Sequence, residues 1–167
     1  MAAALLAERP EARSGFLAAA STGLLEAGRP VPEEVLAEMS ARGIDLSGHR
    51  SSTISAPMLQ DAQLVLGMSR RHVHEVVLCD PGSLTRTFRL KEFARRAGAV
   101  GARRGGQPVE DWIAEVHGAR DRASLLAREP SDDVVDPYGG PAAGYRATAS
   151  ELERLVGELA GLLRPGW

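Results

Sequence analysis

A short turn sequence near residue 136 carries a carboxyl group that could transfer a proton. It reads Asp136-Pro137-Tyr138-Gly139-Gly140. Proline fixes φ and the glycines allow positive φ, so the segment is predicted to turn sharply. A carboxyl group held there can serve as a general acid or base only if another group attacks the substrate. Taken alone, the sequence is also typical of an ordinary turn, in which Asp136 is solvated and caps its own loop.

The only cysteine, Cys79, is the side chain that could act as a thiol nucleophile. It lies at the apolar end of a predicted helix, Val76-Val77-Leu78, and runs into a Pro-Gly turn. The surrounding sequence has no glycine-rich loop and no arginine partner at short spacing. We therefore predict that Cys79 is a buried small apolar residue. A single cysteine also excludes an internal disulfide and a cysteine-based metal cluster.

Two other groups of polar residues are predicted to be solvated rather than functional. His72 and His74 are two residues apart, so on a helix they point to nearly opposite sides and cannot bind one metal ion. Arg103-Arg104 lies in a segment rich in glycine and arginine, where flexible solvated charge is expected rather than a phosphate clamp. No metal or cofactor is predicted.

Length and composition describe one globular domain. The chain has 167 residues, of which 44% are hydrophobic and 25% charged, enough for a proper core. Its formal net charge is -2 with acids and bases interspersed, which gives no electrostatic footprint for nucleic acid or an anionic membrane. No apolar run approaches the roughly 20 residues of a spanning helix, and residues 1–6 lack the features of a signal peptide. A cytoplasmic protein is expected.

The hydrophobic pattern predicts short strands that alternate with helices. The predicted strands cover residues 15–21, 63–68 and 87–90. The predicted helices cover residues 1–8, 70–79, 91–97 and 147–163, with two more that begin at 32 and 108. Residues 44–57, 98–107 and 131–145 are predicted to be irregular. The alternation predicts an α/β fold, a parallel sheet with helices on both faces. Three strands make a thin sheet, which indicates that one strand is absent.

Several motifs, in order and at sensible spacing, resemble the low-molecular-weight protein tyrosine phosphatase family and its arsenate reductase relatives. Residues 1–6 resemble the helix that directly follows the family's Cys-x5-Arg-Ser phosphate loop. The remaining matches are Ser21-Thr22-Gly23, Gly43-Ile44-Asp45, His49-Arg50-Ser51, Val65-Leu66-Gly67-Met68 and the Asp-Pro-Tyr-Gly-Gly turn. Each is weak alone, and their joint order carries the resemblance over nearly the whole chain.

The resemblance implies a Rossmann-like fold whose central first strand and phosphate loop are missing from this chain. It implies one phosphatase-like domain over residues 1–167, in which residues 98–130 form an insertion. In the family, a thiolate at the base of that loop attacks phosphorus, and an arginine at its end clamps the phosphate. An aspartic acid protonates the leaving group and later activates water.

The same resemblance assigns roles to residues of this chain. Asp136 is implied to be the general acid and base, and Tyr138 to form one wall of the substrate pocket. Pro137, Gly139 and Gly140 are implied to shape that loop. His49 is implied to brace the phosphate loop from behind, and Ser21 to lie in a supporting turn.

The leading hypothesis is therefore a hydrolase that dephosphorylates protein phosphotyrosine or a small phosphate ester through a phosphocysteine. We expect its coding sequence to continue upstream of Met1, and we expect the chain as written to be inactive because the cysteine and arginine of the loop are absent. One alternative is a catalytically dead relative that acts by binding. A second is an arsenate reductase-like protein, which would need thiols besides Cys79. Nucleic acid and membrane partners are not expected, and the oligomeric state is left open.

Overall fold

The computed structural model describes residues 1–13, 18–24, 26–120 and 132–164. Two compact units make up the chain. Unit 1 comprises Met1–Thr53 and Val135–Ala160, and unit 2 comprises Ile54–Val134 and Gly161–Trp167. No helix in the described part of the chain is both long and apolar enough to cross a membrane.

Unit 1 is mainly helical, and its longest helix is amphipathic. Its helices are α1 (Ala2–Ala7), α2 (Pro10–Arg13), α3 (Glu33–Ser40) and most of α8 (Ala142–Leu163). The buried apolar side chains of α8 include Leu152, Leu155, Val156 and Leu159, which repeat at helical spacing and confirm the predicted stripe. Helices α3 and α8 are linked by Arg42, which donates to Ser150 Oγ at 3.1 Å.

A glycine ends α3 by a Schellman motif. The N–H of Gly43 bonds to the carbonyl oxygen of Ser40, and the N–H of Ile44 bonds to that of Met39, both at 2.9 Å. Gly43 adopts φ of 76°, which is the left-handed conformation this motif requires. The apolar pair that accompanies the motif, Met39 and Ile44, is buried. The left-handed glycine therefore marks the end of α3.

Unit 2 is built on two parallel strands and the helices that follow them. Strands β1 (Val65–Gly67) and β2 (Thr87–Arg89) pair in parallel with Leu66 opposite Phe88. The helices are α4 (Ala56–Asp61), α5 (Arg70–Cys79), a 3-10 helix (Pro81–Arg86), α6 (Leu90–Val100) and α7 (Val109–Gly118). Phe93 makes edge-to-face contacts with Phe88 and Trp112, with ring centroids 4.8 and 5.7 Å apart. Strand, helix, strand and helix in this order form an α/β unit, as predicted.

The structure departs from the predicted elements at several points. The strand predicted over residues 15–21 is absent from residues 18–21, and residues 15–17 lie outside the described residues. Just after this segment, Gly23 forms an isolated bridge with Thr53. Helix α4 begins in the last two residues of the segment predicted to be irregular and continues to residue 61, where no element was predicted, and a 3-10 helix replaces the turn before β2. Helix α8 begins five residues earlier than predicted. Residues 121–130 of the predicted insertion lie outside the described residues, so the insertion stays a prediction.

Two predicted environments were wrong. Cys79, the last residue of α5, is exposed rather than buried. Arg103 is buried, with 8% of its surface exposed, rather than solvated. Its Nε donates to the carbonyl oxygen of Leu163 at 2.9 Å and its Nη1 donates to that of Gln107. Arg104 is exposed, as expected, and pairs with Glu115 at 2.6 Å.

Candidate active site

The segment Asp136–Gly140, called the acid loop below, folds on itself through two hydrogen bonds. Asp136 Oδ1 accepts the N–H of Tyr138 at 3.1 Å, and the carbonyl oxygen of Pro137 accepts the N–H of Gly140 at 2.9 Å. Gly139 adopts φ of 74°, a conformation that side-chain-bearing residues rarely take. The turn predicted from proline and glycine is confirmed.

Helix α8 anchors the backbone of the acid loop both before and after Asp136. The hydroxyl oxygen of Tyr145 accepts the N–H of Gly139 at 3.2 Å. One turn further along the helix, Thr148 Oγ1 donates to the carbonyl oxygen of Val135 at 3.2 Å. Both side chains are buried, so the backbone immediately before Asp136 and three residues after it is fixed to one helix.

The reactive side chains of the loop face outward. Asp136 is exposed, and Tyr138 is 72% exposed. An exposed carboxyl group on a backbone that is anchored at both ends can approach a bound substrate and transfer a proton to it. An exposed phenol ring beside it can cover an aromatic or planar group. The roles of Asp136 as general acid and of Tyr138 as a pocket wall stay predictions.

The segments around Ser21 and His49 lie together in unit 1. Ser52 Oγ donates to the carbonyl oxygen of Ser21 at 2.8 Å, and the carbonyl oxygen of Ser52 accepts the N–H of Gly23 at 2.8 Å. Three residues earlier, His49 is exposed, and its carbonyl oxygen accepts from Arg50 Nη1 at 2.8 Å. Two segments that were predicted separately are thus brought together. The bracing role of His49 and the supporting role of Ser21 stay predictions.

Cys79 lies outside any phosphate-binding loop. The nearest following arginine, Arg86, is one position too far for a Cys-x5-Arg motif. Its guanidinium donates to Asp80 Oδ2 at 3.2 Å and to the carbonyl oxygen of Gly82 at 3.1 Å. The backbone from Pro81 to Arg86 forms a 3-10 helix, in which N–H groups bond to carbonyl oxygens three residues earlier, as that of Ser83 does with Asp80 at 3.0 Å. This geometry argues against Cys79 as the nucleophile.

The sequence interpretation missed the two residues that fix the acid loop, Tyr145 and Thr148. It began α8 at residue 147, which excluded Tyr145, and it assigned no role to Thr148. A signal was present, because both residues continue the apolar stripe of α8 towards its start. Polar atoms on the buried stripe of a helix require partners, and that requirement could have pointed to the loop.

The sequence interpretation also missed an acidic pair in unit 2. Asp133 Oδ1 accepts the first N–H of α5, that of Arg70, at 3.1 Å, and Nη1 of Arg89 at 3.3 Å. Asp132 Oδ2 accepts Nη2 of Arg89 at 3.0 Å. The next residue, Val134, donates its N–H to the carbonyl oxygen of Met68 at 2.8 Å. These bonds fix residues 132–134 beside the end of β1.

Comparison with known proteins identifies the family. The model of the low molecular weight phosphotyrosine protein phosphatases matches residues 1–102, and the chain belongs to this family. The matched range ends before the acid loop.

Individual relatives are similar over most of the chain. A protein-arginine-phosphatase of Geobacillus stearothermophilus is 29% identical over 126 residues, which are 75% of this chain and 62% of that protein. The low molecular weight protein tyrosine phosphatase from T. tengcongensis is 26% identical, with a TM-score of 0.70 over 97% of this chain and 88% of its own. The YwlE arginine phosphatase from G. stearothermophilus is 26% identical, with a TM-score of 0.65 over 95% and 80%.

Proposed function

We propose that this chain carries the proton-transfer half of a phosphatase that acts on phosphorylated protein side chains. The observation that carries the proposal is the acid loop, whose exposed Asp136 stands on backbone anchored on both sides by α8. Asp136 is the general acid and base, and Tyr138 lines the substrate pocket. Membership of the phosphotyrosine protein phosphatase family supports the reaction class.

The proposed reaction needs a thiolate and an arginine that the 167 residues do not provide in one motif. The thiolate attacks phosphorus, and the bond from phosphorus to the leaving oxygen breaks while Asp136 gives that oxygen its proton. Water then attacks the phosphocysteine, Asp136 takes a proton from this water, and phosphate and the thiolate are released. The chain by itself is therefore expected not to hydrolyse p-nitrophenyl phosphate.

The test supplies the missing groups. A strand and a Cys-x5-Arg-Ser loop of the family pattern are joined in front of Met1, and hydrolysis is compared with that of the 167-residue chain. We expect activity only in the extended protein, and none when the cysteine of the added segment is changed to serine. Activity of the 167-residue chain that is lost in Cys79→Ser would contradict the proposal.

Substitution of Asp136 in the extended protein tests the acid. Asp136→Asn should slow hydrolysis of phenyl phosphate by roughly 10²–10⁴-fold, the scale of losing a general acid. The loss should be much smaller with p-nitrophenyl phosphate, whose leaving group needs little protonation. Equal losses with both substrates would show that Asp136 is not the acid.

The substrate is proposed to be protein phosphotyrosine, with phosphoarginine as a second candidate. The second is favoured by the similarity to a protein-arginine-phosphatase. The two substrates differ at the bond that breaks, P–O in one and P–N in the other, and both leaving groups take up a proton. Parallel assays with matched phosphotyrosine and phosphoarginine peptides separate the candidates, because the ratio of kcat/KM ranks them directly.

A further inference from the structure

The first two turns of α8 carry two hydroxyl groups that are buried and directed at the acid loop. Tyr145 is 3% exposed and Thr148 is 6% exposed. A buried hydroxyl without a partner is costly, so each must form a hydrogen bond. Tyr145 finds its partner in the N–H of Gly139 and Thr148 in the carbonyl oxygen of Val135.

The choice of partner by Thr148 is informative. A threonine inside a helix commonly bonds to the carbonyl oxygen four residues earlier, which here would be that of Gly144. Thr148 instead donates outside its helix, to the residue directly before Asp136. A Cβ added at Gly144 would come into ordinary van der Waals contact with Pro137 Cβ, at 3.9 Å, so the start of α8 lies next to the acid loop. The start of α8 is therefore joined to the acid loop by hydrogen bonds from two side chains.

We infer that Tyr145, together with Thr148, is a positioning residue that holds Asp136 in register for proton transfer. This inference rests on the proposed function. Val135 and Gly139 bracket Asp136 in the sequence, and each is tied to α8 by one of these hydroxyls. Removing either hydroxyl releases the backbone on one side of Asp136 from α8. A shift of the carboxyl group of about 1 Å can then lower the rate a hundredfold.

The first experiment measures how firmly the Tyr145 hydroxyl holds the backbone of Gly139 in the 167-residue chain. It requires no enzymatic activity. Tyr145→Phe keeps the buried ring and removes only the hydroxyl. Amide hydrogen exchange followed by NMR should show the Gly139 N–H exchanging about three- to tenfold faster, the range for one lost hydrogen bond. The exchange rates of amides in the middle of α8 should be unchanged.

Tyr138→Phe, which removes an exposed hydroxyl from the same loop, is the matched control and should leave the exchange rate of the Gly139 N–H unaltered. Equal Gly139 exchange in wild type and Tyr145→Phe would overturn the inference.

The second experiment measures proton transfer in the extended protein. Tyr145→Phe and Thr148→Val should each lower kcat for phenyl phosphate by about tenfold, within the range that misplacement of a reacting group allows. Neither should change KM, and kcat for p-nitrophenyl phosphate should change far less. Arg154→Gln, which removes an exposed ion pair with Glu158 further along α8, is the control and should match wild type.

The outcomes separate the two proposals. An equal loss with both substrates would mean that the hydroxyls serve only stability, and would overturn the inference. A selective loss in Asp136→Asn that neither hydroxyl variant shares would also overturn it while leaving the proposed function intact. If Asp136→Asn itself shows no selective loss with phenyl phosphate, the result would contradict the proposed function. It would then also contradict the positioning role.

Discussion

Arg103 shows how one buried side chain can complete the end of a helix. The last carbonyl groups of a helix have no partner within it, and a positive charge near them is favourable. Arg103 meets both needs at the end of α8, because its N–H bonds to the carbonyl oxygen of Leu162 and its Nε to that of Leu163, each at 2.9 Å. Its neighbour Arg104 is exposed and makes only surface contacts.

Replacing these two arginines separately should give unequal effects on stability. Arg103→Gln should lower the free energy of unfolding by about 1–3 kcal/mol, because buried carbonyl groups lose their donors. Arg104→Gln should cost less than about 1 kcal/mol, as is usual for an exposed ion pair. Urea unfolding of both variants under identical conditions provides the comparison. Similar losses would argue that Arg103 does not cap α8.

The sequence could not distinguish Arg103 from Arg104. Both lie in one segment of glycine and arginine, and the partner of Arg103 is about 60 residues away in the chain, as the separation of Arg103 and Leu163 shows. At the same scale, the turn of the acid loop was predictable, because Pro137 and Gly139 dictate it locally. The contacts of Tyr145 were not, since they depend on how a helix packs against a loop.

At the scale of elements, α3 and α6 illustrate opposite uses of glycine. Gly43 follows α3 in the left-handed conformation, with open space around its Cα. Gly98 lies inside α6 with ordinary helical backbone and equally open space. An added methyl group meets no neighbour in either place, so only the backbone conformation distinguishes the two positions.

Alanine at these two positions should therefore change stability in opposite directions. Gly43→Ala should destabilise the protein by about 1–2 kcal/mol, the cost of a left-handed residue with a Cβ. Gly98→Ala should stabilise it by roughly 0.5–1 kcal/mol, since alanine loses less chain entropy in a helix. Thermal unfolding of both variants should show melting temperatures on either side of that of wild type. A loss in Gly98→Ala would indicate a contact that the structure does not show.

Elements with a clear local signal were predictable, and those set by tertiary context were not. Helix α5 was predicted with the bounds it has, because Ser69 caps its start and the Pro-Gly turn follows its end. Helix α7 was predicted from Pro108 and the two acids after it. Helix α4 was missed because six residues are too few to show a period. The strand predicted over 15–21 rested on a short apolar run, which by its period alone cannot be told from other structure.

At the scale of the whole molecule, a buried network of charges dominates the electrostatics of unit 2. Glu92 accepts from Arg96 Nε at 3.2 Å and from Arg120 Nε at 2.9 Å. Arg120 also lies over the ring of Phe88, 4.0 Å from its centroid. Arg89 extends the network to Asp132 at 3.0 Å. Buried charges in such a network must remain paired to be tolerated.

The pKa of Glu92 makes stability depend on pH. Burial raises this pKa, but the hydrogen bond and charge of Arg120, with help from Arg89 and Arg96, outweigh burial and hold it below the ordinary value of 4.5. The unfolded state therefore binds a proton at higher pH than the folded state. The stabilising contribution of Glu92 is complete above about pH 4.5 and is lost as the pH falls through the folded pKa.

Glu92→Gln should reveal this contribution. At pH 7 the variant should be less stable by on the order of 1–3 kcal/mol, because charged donors lose their carboxylate. The difference from wild type should shrink as the pH falls below 4.5. Urea unfolding from pH 7 to pH 3 measures it, with far-UV circular dichroism to verify the fold. A difference that stays constant below pH 4.5 would contradict the prediction.

His117 contributes a second pH dependence, which is coupled to Glu92. Burial, followed by the charge of Arg120, lowers the pKa of His117 below its ordinary value of 6.5. Between the two values the unfolded state binds more protons, so stability falls as the pH drops below about 6.5. Because the charge of Glu92 raises the pKa of His117, Glu92→Gln should lower this pKa further, so the variant should lose more stability than wild type as the pH falls below about 6.5.

The acid loop has a thermodynamic consequence that follows from its hydrogen bonds. Its backbone is already ordered by Asp136, by Pro137 and by two residues of α8. Fixing the backbone of a mobile residue costs about 1–2 kcal/mol of conformational entropy, so ordering such a loop at encounter would weaken binding considerably. Here that ordering takes place when the chain folds. If the proposed role of Asp136 is correct, a substrate that binds at this loop should therefore meet only a small entropic penalty from ordering the loop.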